Sequence, residues 1–191
     1  MRDHKMKSER CPTLTTPRLT LRLPTPNDLD AFAHIFADPE VCKYIGDGKP
    51  RPRDRVEQSL RNCILCWERK GFGPFAVLHQ GRIIGDTLLY PIARSGTDFA
   101  DFSARGPEIE IGYRFAKSAW GQGFATEAAK AAMEWAFSSA GPNLPELIAV
   151  TYPDNTASQR VLEKIGMHRV GETRDYYNAV TSLFRRKHPT Q

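Results

Sequence analysis

The stretch EIEIGYRFAKSAWGQGFATEAAK, Glu108 to Lys130, constrains the fold of this chain more than any other. Its first part alternates. Glu108, Glu110, Gly112 and Arg114 face one way, and Ile109, Ile111, Tyr113 and Phe115 the other, the period of a strand with one polar face. Its last part consists of strong helix formers, among which Ala125, Ala128, Ala129 and Ala132 keep the helix slim enough to pack close on a sheet. Gly121 and Gly123 lie between the two. The first turn of a helix carries unpaired N–H groups and the positive end of the dipole, and glycines let a phosphate approach the backbone without striking a Cβ. Strand, glycine loop and helix in this order read as an anion site suited to two linked phosphates, with ordinary helix-capping glycines as the alternative. The loop is not of the Walker type, because the Gly-Lys-Ser/Thr ending is missing. GPNLPE also stands where a dinucleotide fold places its ribose-binding acid.

The rest of the chain supplies elements for one domain around this unit. In TPRLTLRLPTPNDLDAFAHIF, Leu19, Leu21 and Leu23 alternate as a strand. A helix follows with Thr25 as cap, Pro26 at its first position, Asp28 in its first turn and Leu29, Phe32, Ile35 and Phe36 as the buried stripe. A second helix is expected over Arg53 to Lys70. FAVLHQGRIIGDTLLY reads as two strands joined at Gln80-Gly81, a hairpin signal, and ARSGTDFADFSARGP reads as loop. Helices are predicted from about Ala125 to Ser139 and from Thr156 to Ile165, the second ended by Gly166, with the strand ELIAVTY between them. At 191 residues the chain suits one mixed α/β (α+β) domain with a largely antiparallel sheet.

Charge and cysteine usage narrow the function classes. The net charge of +5 comes from the two ends. Arg2, Lys5, Lys7 and Arg10 outweigh Asp3 and Glu9, while Arg185, Arg186 and Lys187 have no acid beside them, so the body of the chain is formally neutral. A nucleic-acid reader carries its charge as a stripe on the folded body, and none is expected here. The basic run DGKPRPRDR, with Lys49, Arg51, Arg53 and Arg55, reads as a solvated loop. Cys11, Cys42, Cys63 and Cys66 lack histidines at metal-ligand spacing, so no metal is expected. Cys63 and Cys66 fall within an amphipathic helix and read as reduced, partly buried thiols, which suits a cytoplasmic location. No apolar run is long enough to cross a bilayer, and MRDHKMKSER lacks the hydrophobic segment of a secretory signal.

EIGYRFAKSAWGQGFATEA, followed at Asn155 by NTASQRVLEKIGM, resembles the GCN5-related N-acetyltransferase (GNAT) superfamily, most closely the branch that includes ribosomal-protein N-terminal acetyltransferases. TPRLTLRLPTPNDLDAF and GRIIGD belong to the same resemblance, which covers about residues 13 to 172. It implies a flexible tail over 1–12 and an N-acetyltransferase domain over 13–187, with a twisted sheet whose central strand pair splays apart. Acetyl-coenzyme A is the implied cosubstrate. The family's pyrophosphate loop lands on Trp120, Gly121, Gln122, Gly123, Phe124 and Ala125, followed by Thr126. Trp120 departs from the family's Gln or Arg, which matters little where backbone amides do the binding. The resemblance further implies that the backbone near Phe115 and the side chain of Asn155 meet the pantetheine arm, and that Lys117 or Arg160 reaches a phosphate.

Acetyl transfer needs a neutral amine beside the thioester carbon, a route for its proton, a donor for the carbonyl oxygen and an acid for the leaving thiolate. Glu110 is the expected base, through a water, with Glu108 as the fallback. Glu110 as no more than a loop anchor stays open. Ser158 matches the position that related N-terminal acetyltransferases place near the sulfur, and an ordinary first-turn serine stays open there. Tyr176 and Tyr177 are further acid candidates, on a segment, GETRDYYNAVTSLFRRK, that is shorter and less regular than the family's usual last strands.

The expected activity is direct attack in a ternary complex by the amine of a protein N-terminus or of a small molecule. The basic loop disfavours a polycationic acceptor. A non-catalytic acyl-coenzyme A sensor is the alternative, since the glycine loop serves both. No nucleic-acid or membrane partner is expected, and the protein is expected as a monomer or homodimer.

Overall fold

The glycine-loop unit sits at the centre of an eight-stranded sheet in the computed structural model, which describes residues 12–96 and 108–189. The expected tail up to Cys11 and most of the expected loop 93–107 lie outside the described residues. In chain order the strands are β1 (Leu14–Thr15), β2 (Leu19–Arg22), β3 (Phe75–His79), β4 (Arg82–Pro91), β5 (Ile109–Phe115), β6 (Glu146–Thr151), β7 (His168–Thr173) and β8 (Thr181–Lys187). The helices are α1 (Leu29–Phe36), α2 (Pro39–Cys42), α3 (Arg53–Lys70), α4 (Phe124–Phe137) and α5 (Thr156–Lys164), with short 3-10 turns at Pro26–Asp28 and Lys117–Ala119. Spatial order is β1-β2-β3-β4-β5-β6-β8-β7, and every pairing is antiparallel except β5 with β6. No helix among the described residues is long and apolar enough to cross a membrane.

The β3–β4 hairpin turns at Gln80 and Gly81, both with positive φ (50° and 77°), the geometry of a two-residue primed turn. Ala128, Ala129, Ala132 and Ala136 are fully buried and bring α4 against one face of the sheet, where Leu21, Phe75, Leu89, Ile111 and Leu147 meet it. A second cluster on α1, α2 and α3, with Phe32, Ile35, Phe36, Val56 and Leu60, packs around Ala76 of β3. Helices therefore cover both faces.

The alternation signals located the elements well, and their edges differ in instructive ways. Before α1 the chain winds as a 3-10 turn, because the Asp28 carboxylate turns inward. It accepts the Thr25 backbone N–H at 2.7 Å and takes both guanidinium nitrogens of Arg22 at 2.7 and 2.8 Å. Burial opposes ionisation of Asp28, but these partners prevail and hold its carboxyl below the usual range. The short β1 and α2 were not expected. The last segment is more regular than its sequence suggests, since β8 runs six paired positions along β6 and places Leu183 and Phe184 inside. Arg51 is not a solvated loop cation either. Its guanidinium lies half-buried, 5.7 Å from the centre of the Phe36 ring.

Candidate active site

Two neighbouring strands that part company create the site. β5 pairs with β4 at seven positions but with β6 at only one, Glu110 opposite Ile148, and beyond that point the parallel strands diverge. A wedge opens toward their C-terminal ends, lined by strand backbone that no neighbour satisfies within the sheet. Glu110 sits at its apex. Its carboxylate accepts the Tyr177 hydroxyl and the backbone N–H of Val150 on the opposite strand. Burial pushes the Glu110 carboxyl up to about 7, against these two donors and the Arg114 charge, which all favour ionisation. Such a group exchanges protons near neutrality.

Glu108 is placed differently. Its carboxylate is shared by Arg94 at 2.6 Å, Tyr176 at 2.8 Å and Arg185 at 2.9 Å. Tyr176 is 1% exposed and spends its hydroxyl proton on Glu108, while burial and that carboxylate push the phenol up to about 12. Tyr177 is exposed and adopts a positive φ of 57°, a strained conformation for a bulky residue, and this conformation carries its hydroxyl to Glu110.

The wedge runs out to the glycine loop. Gly121 and Gly123 have φ of 74° and 80°, and a Cβ at Gly121 would meet nothing within 4 Å. Gly123 precedes α4, so Phe124, Ala125 and Thr126 begin a helix whose first N–H groups have no partner within it. Gln122 itself folds back, donating from Nε2 to the Ser118 carbonyl at 2.9 Å. The Trp120 indole N–H donates to the Phe115 carbonyl at 2.8 Å and ties the loop to the end of β5.

A brace stands behind the loop. The Arg18 guanidinium stacks over the Phe124 ring at 4.6 Å, donates to the Gln122 carbonyl at 2.9 Å and pairs with Glu127 at 2.6 Å. Thr16 Oγ1 donates to the same carboxylate at 2.6 Å. Sequence reading missed Arg18 because its partners lie more than a hundred residues away, with no local pattern to announce them.

On the other side of the wedge, Asn155 caps α5, its Oδ1 accepting the Ser158 N–H at 3.2 Å. The Tyr113 hydroxyl donates its single proton to the Ser158 carbonyl at 2.7 Å, so in the 3.0 Å contact between the two hydroxyls Ser158 Oγ is the donor. Tyr113 had no functional reading in the sequence, where it counted only as an inward strand residue. Lys117 pairs with Glu40 at 2.7 Å, and Arg160 is exposed on α5. Segment 40–46 crosses the mouth of the wedge, since Tyr44 donates to Asp154 at 3.1 Å and Tyr152 to the Gly46 carbonyl at 3.3 Å. The structure thus gathers Glu110, Tyr177, Ser158, Tyr113, Asn155 and the glycine loop around one wedge, and ties Glu108 and Tyr176 into a separate ion-pair network.

Known proteins share this architecture. The family model for the acetyltransferase (GNAT) domain matches residues 18–168. The FsC-acetyl coenzyme A-N(2)-transacetylase of Aspergillus fumigatus is 33% identical over 163 residues, which is 83% of this chain, and the chain spans 66% of that protein's length. An acetyltransferase structure from Agrobacterium tumefaciens is 27% identical with a TM-score of 0.73, over 92% of this chain and 94% of that one. The ribosomal L7/L12 alpha-N-protein acetyltransferase RimL, solved in complex with coenzyme A, has the same fold at 15% identity. Its TM-score is 0.73, over 94% of this chain and 99% of that one. With most of its length matched by the family model, and with the splayed strand pair and glycine loop in place, the chain belongs to the GNAT acetyltransferase family.

Proposed function

We propose that this protein transfers the acetyl group of acetyl-coenzyme A to a primary amine, by direct attack within a ternary complex. The observation that carries this reading is the placement of Glu110. A carboxyl brought to about 7 by burial stands at the apex of the β5–β6 wedge, on the strand that leads into an exposed glycine loop. Acetyl-coenzyme A fits that arrangement: open space at Gly121 and the free N–H groups of the α4 start suit its pyrophosphate. RimL binds coenzyme A on the same fold.

In this reading the backbone of Gly121 to Thr126 holds the diphosphate. Phe115 and Asn155 orient the pantetheine arm, and the wedge holds the thioester. Glu110 accepts the amine proton, directly or through a water, as nitrogen bonds to the carbonyl carbon. Strand backbone N–H groups in the wedge face the oxygen as it gains charge. The carbon–sulfur bond then breaks, and the thiolate takes a proton from Ser158, whose hydroxyl turns from Tyr113 to give it and regains a proton from solvent. The acceptor is the amine of a protein N-terminus or of a small molecule.

The test is thiol release from acetyl-coenzyme A across a panel of amines and short peptides, with Glu110→Gln alongside. The variant is expected to lose about a hundredfold or more in kcat/KM, the usual worth of a positioned base, while coenzyme A affinity holds. Tight coenzyme A binding without release for any acceptor would replace this reading with that of an acyl-coenzyme A sensor.

A further inference from the structure

The half-buried Arg51 guanidinium has no acceptor within hydrogen-bond reach among the described residues. Its backbone is fixed, since Arg51 N–H donates to the Phe36 carbonyl at 2.9 Å, and its head group lies by the Phe36 ring. Arg114 lies over the same ring at 4.9 Å. Asp86, the carboxylate within reach of this pair, is already taken: Arg114 Nε donates to it at 3.0 Å and Arg114 Nη2 makes a second bond. Two guanidiniums flank one phenyl ring, and one has its counter-ion.

Burial and the Arg114 charge both disfavour the charged form of Arg51 and lower its pKa from the ordinary arginine value, outweighing Cys42, Asp86 and Asp47, which favour it. An arginine stays protonated in proteins, so the desolvation persists until an anion arrives. Arg114 stands on the same face of β5 as Glu110, four residues further along, which places the unpaired guanidinium and the proposed base on one side of the sheet. A small apolar hollow lined by Phe32, Phe36, Val56 and Leu60 adjoins Arg114 and Asp86.

We propose that Arg51 is a specificity-determining residue that binds a carboxylate carried by the acceptor itself, so that the preferred substrates are amines bearing an acid, with the amine at Glu110 and the carboxylate at Arg51. This rests on the transferase reading above and names its substrate class. A planar guanidinium fork matches a carboxylate through two parallel hydrogen bonds, and a polycationic amine meets repulsion from Arg51 and Arg114.

The experiment pairs acceptors that differ only in the acid: free amino acids against their amides, and short peptides with or without an acidic residue. Thiol release is measured with the natural protein, Arg51→Gln and Arg51→Lys. Calorimetry follows N-acetyl amino acids and their amides binding to the coenzyme A complex. The acid members are expected to exceed their amides at least tenfold in kcat/KM and in affinity. The preference should vanish in Arg51→Gln and return in part in Arg51→Lys, with the KM for acetyl-coenzyme A unchanged. Preference for free amino acids or for acidic peptides identifies the source of the carboxylate. Equal use of acids and amides, a preference that survives Arg51→Gln, or a rise in the KM for acetyl-coenzyme A alone would overturn the assignment. If no amine is acetylated, the transferase reading fails while calorimetry still decides the carboxylate site. Failure of any N-acetyl amino acid to bind then overturns it.

Discussion

Replacing Glu110 with Gln tests the environment of the wedge apart from its chemistry. Holding the carboxyl at about 7 in the folded protein, against 4.5 for an ordinary glutamate, sets a differential penalty on the charged form of about 3 kcal/mol. The sign follows from proton binding. Between about pH 4.5 and 7 the folded state holds a proton that the unfolded state releases, so the contribution of Glu110 to stability falls as pH rises and levels off above 7. Glutamine keeps a carbonyl oxygen for the Tyr177 hydroxyl and the Val150 N–H and carries no charge to desolvate. Urea unfolding of both proteins at a series of pH values should therefore show Glu110→Gln more stable by about 1–3 kcal/mol at pH 8, with the difference closing toward pH 4. A stability difference that does not change with pH would mean that Glu110 ionises as an exposed glutamate does. Glu110 would then not be a base poised near neutrality.

Tyr177→Phe removes a donor that favours the Glu110 carboxylate, so the rise of kcat/KM with pH should move about one unit higher; an unmoved profile would show that the hydrogen bond is not made in solution. Burial pushes the Cys63 and Cys66 thiols up to about 12, and Cys42 is buried as well. In a Cys11→Ser chain all three should resist a disulfide reagent at pH 8 until denaturant is added, and rapid reaction of the native protein would refute the burial. Arg18→Ala loses the brace behind the glycine loop and should raise the KM for acetyl-coenzyme A several-fold with little change in kcat. Acetyl-pantetheine, which lacks the diphosphate, should be used equally well by both forms, and an equal loss with both donors would show a general structural defect instead.

Period and punctuation were enough to read most of the framework. The alternation through Ile109 to Phe115, the turn at Gln80-Gly81, the alanine face of α4 and the glycines before it are local patterns, and the structure places strand, turn and helix there. A residue's local conformation follows from its own side chain and those a few positions away. The sequence also put Glu110 and Ser158 forward as site residues, through motif resemblance. The contacts that define their surroundings came only with the tertiary fold. Tyr177 meets Glu110 from the β7–β8 turn, Tyr113 meets Ser158 from β5, Arg18 braces Gln122 and Glu127, and Arg51 and Arg114 close on Phe36. Strand order and the parting of β5 from β6 set these meetings, and no neighbouring residue encodes them. The protonation of Glu110 is likewise a tertiary property. Local sequence determined which groups the chain carries and on which face, while the packed fold decided which of them leave water together, and desolvation and charge pairing act only there.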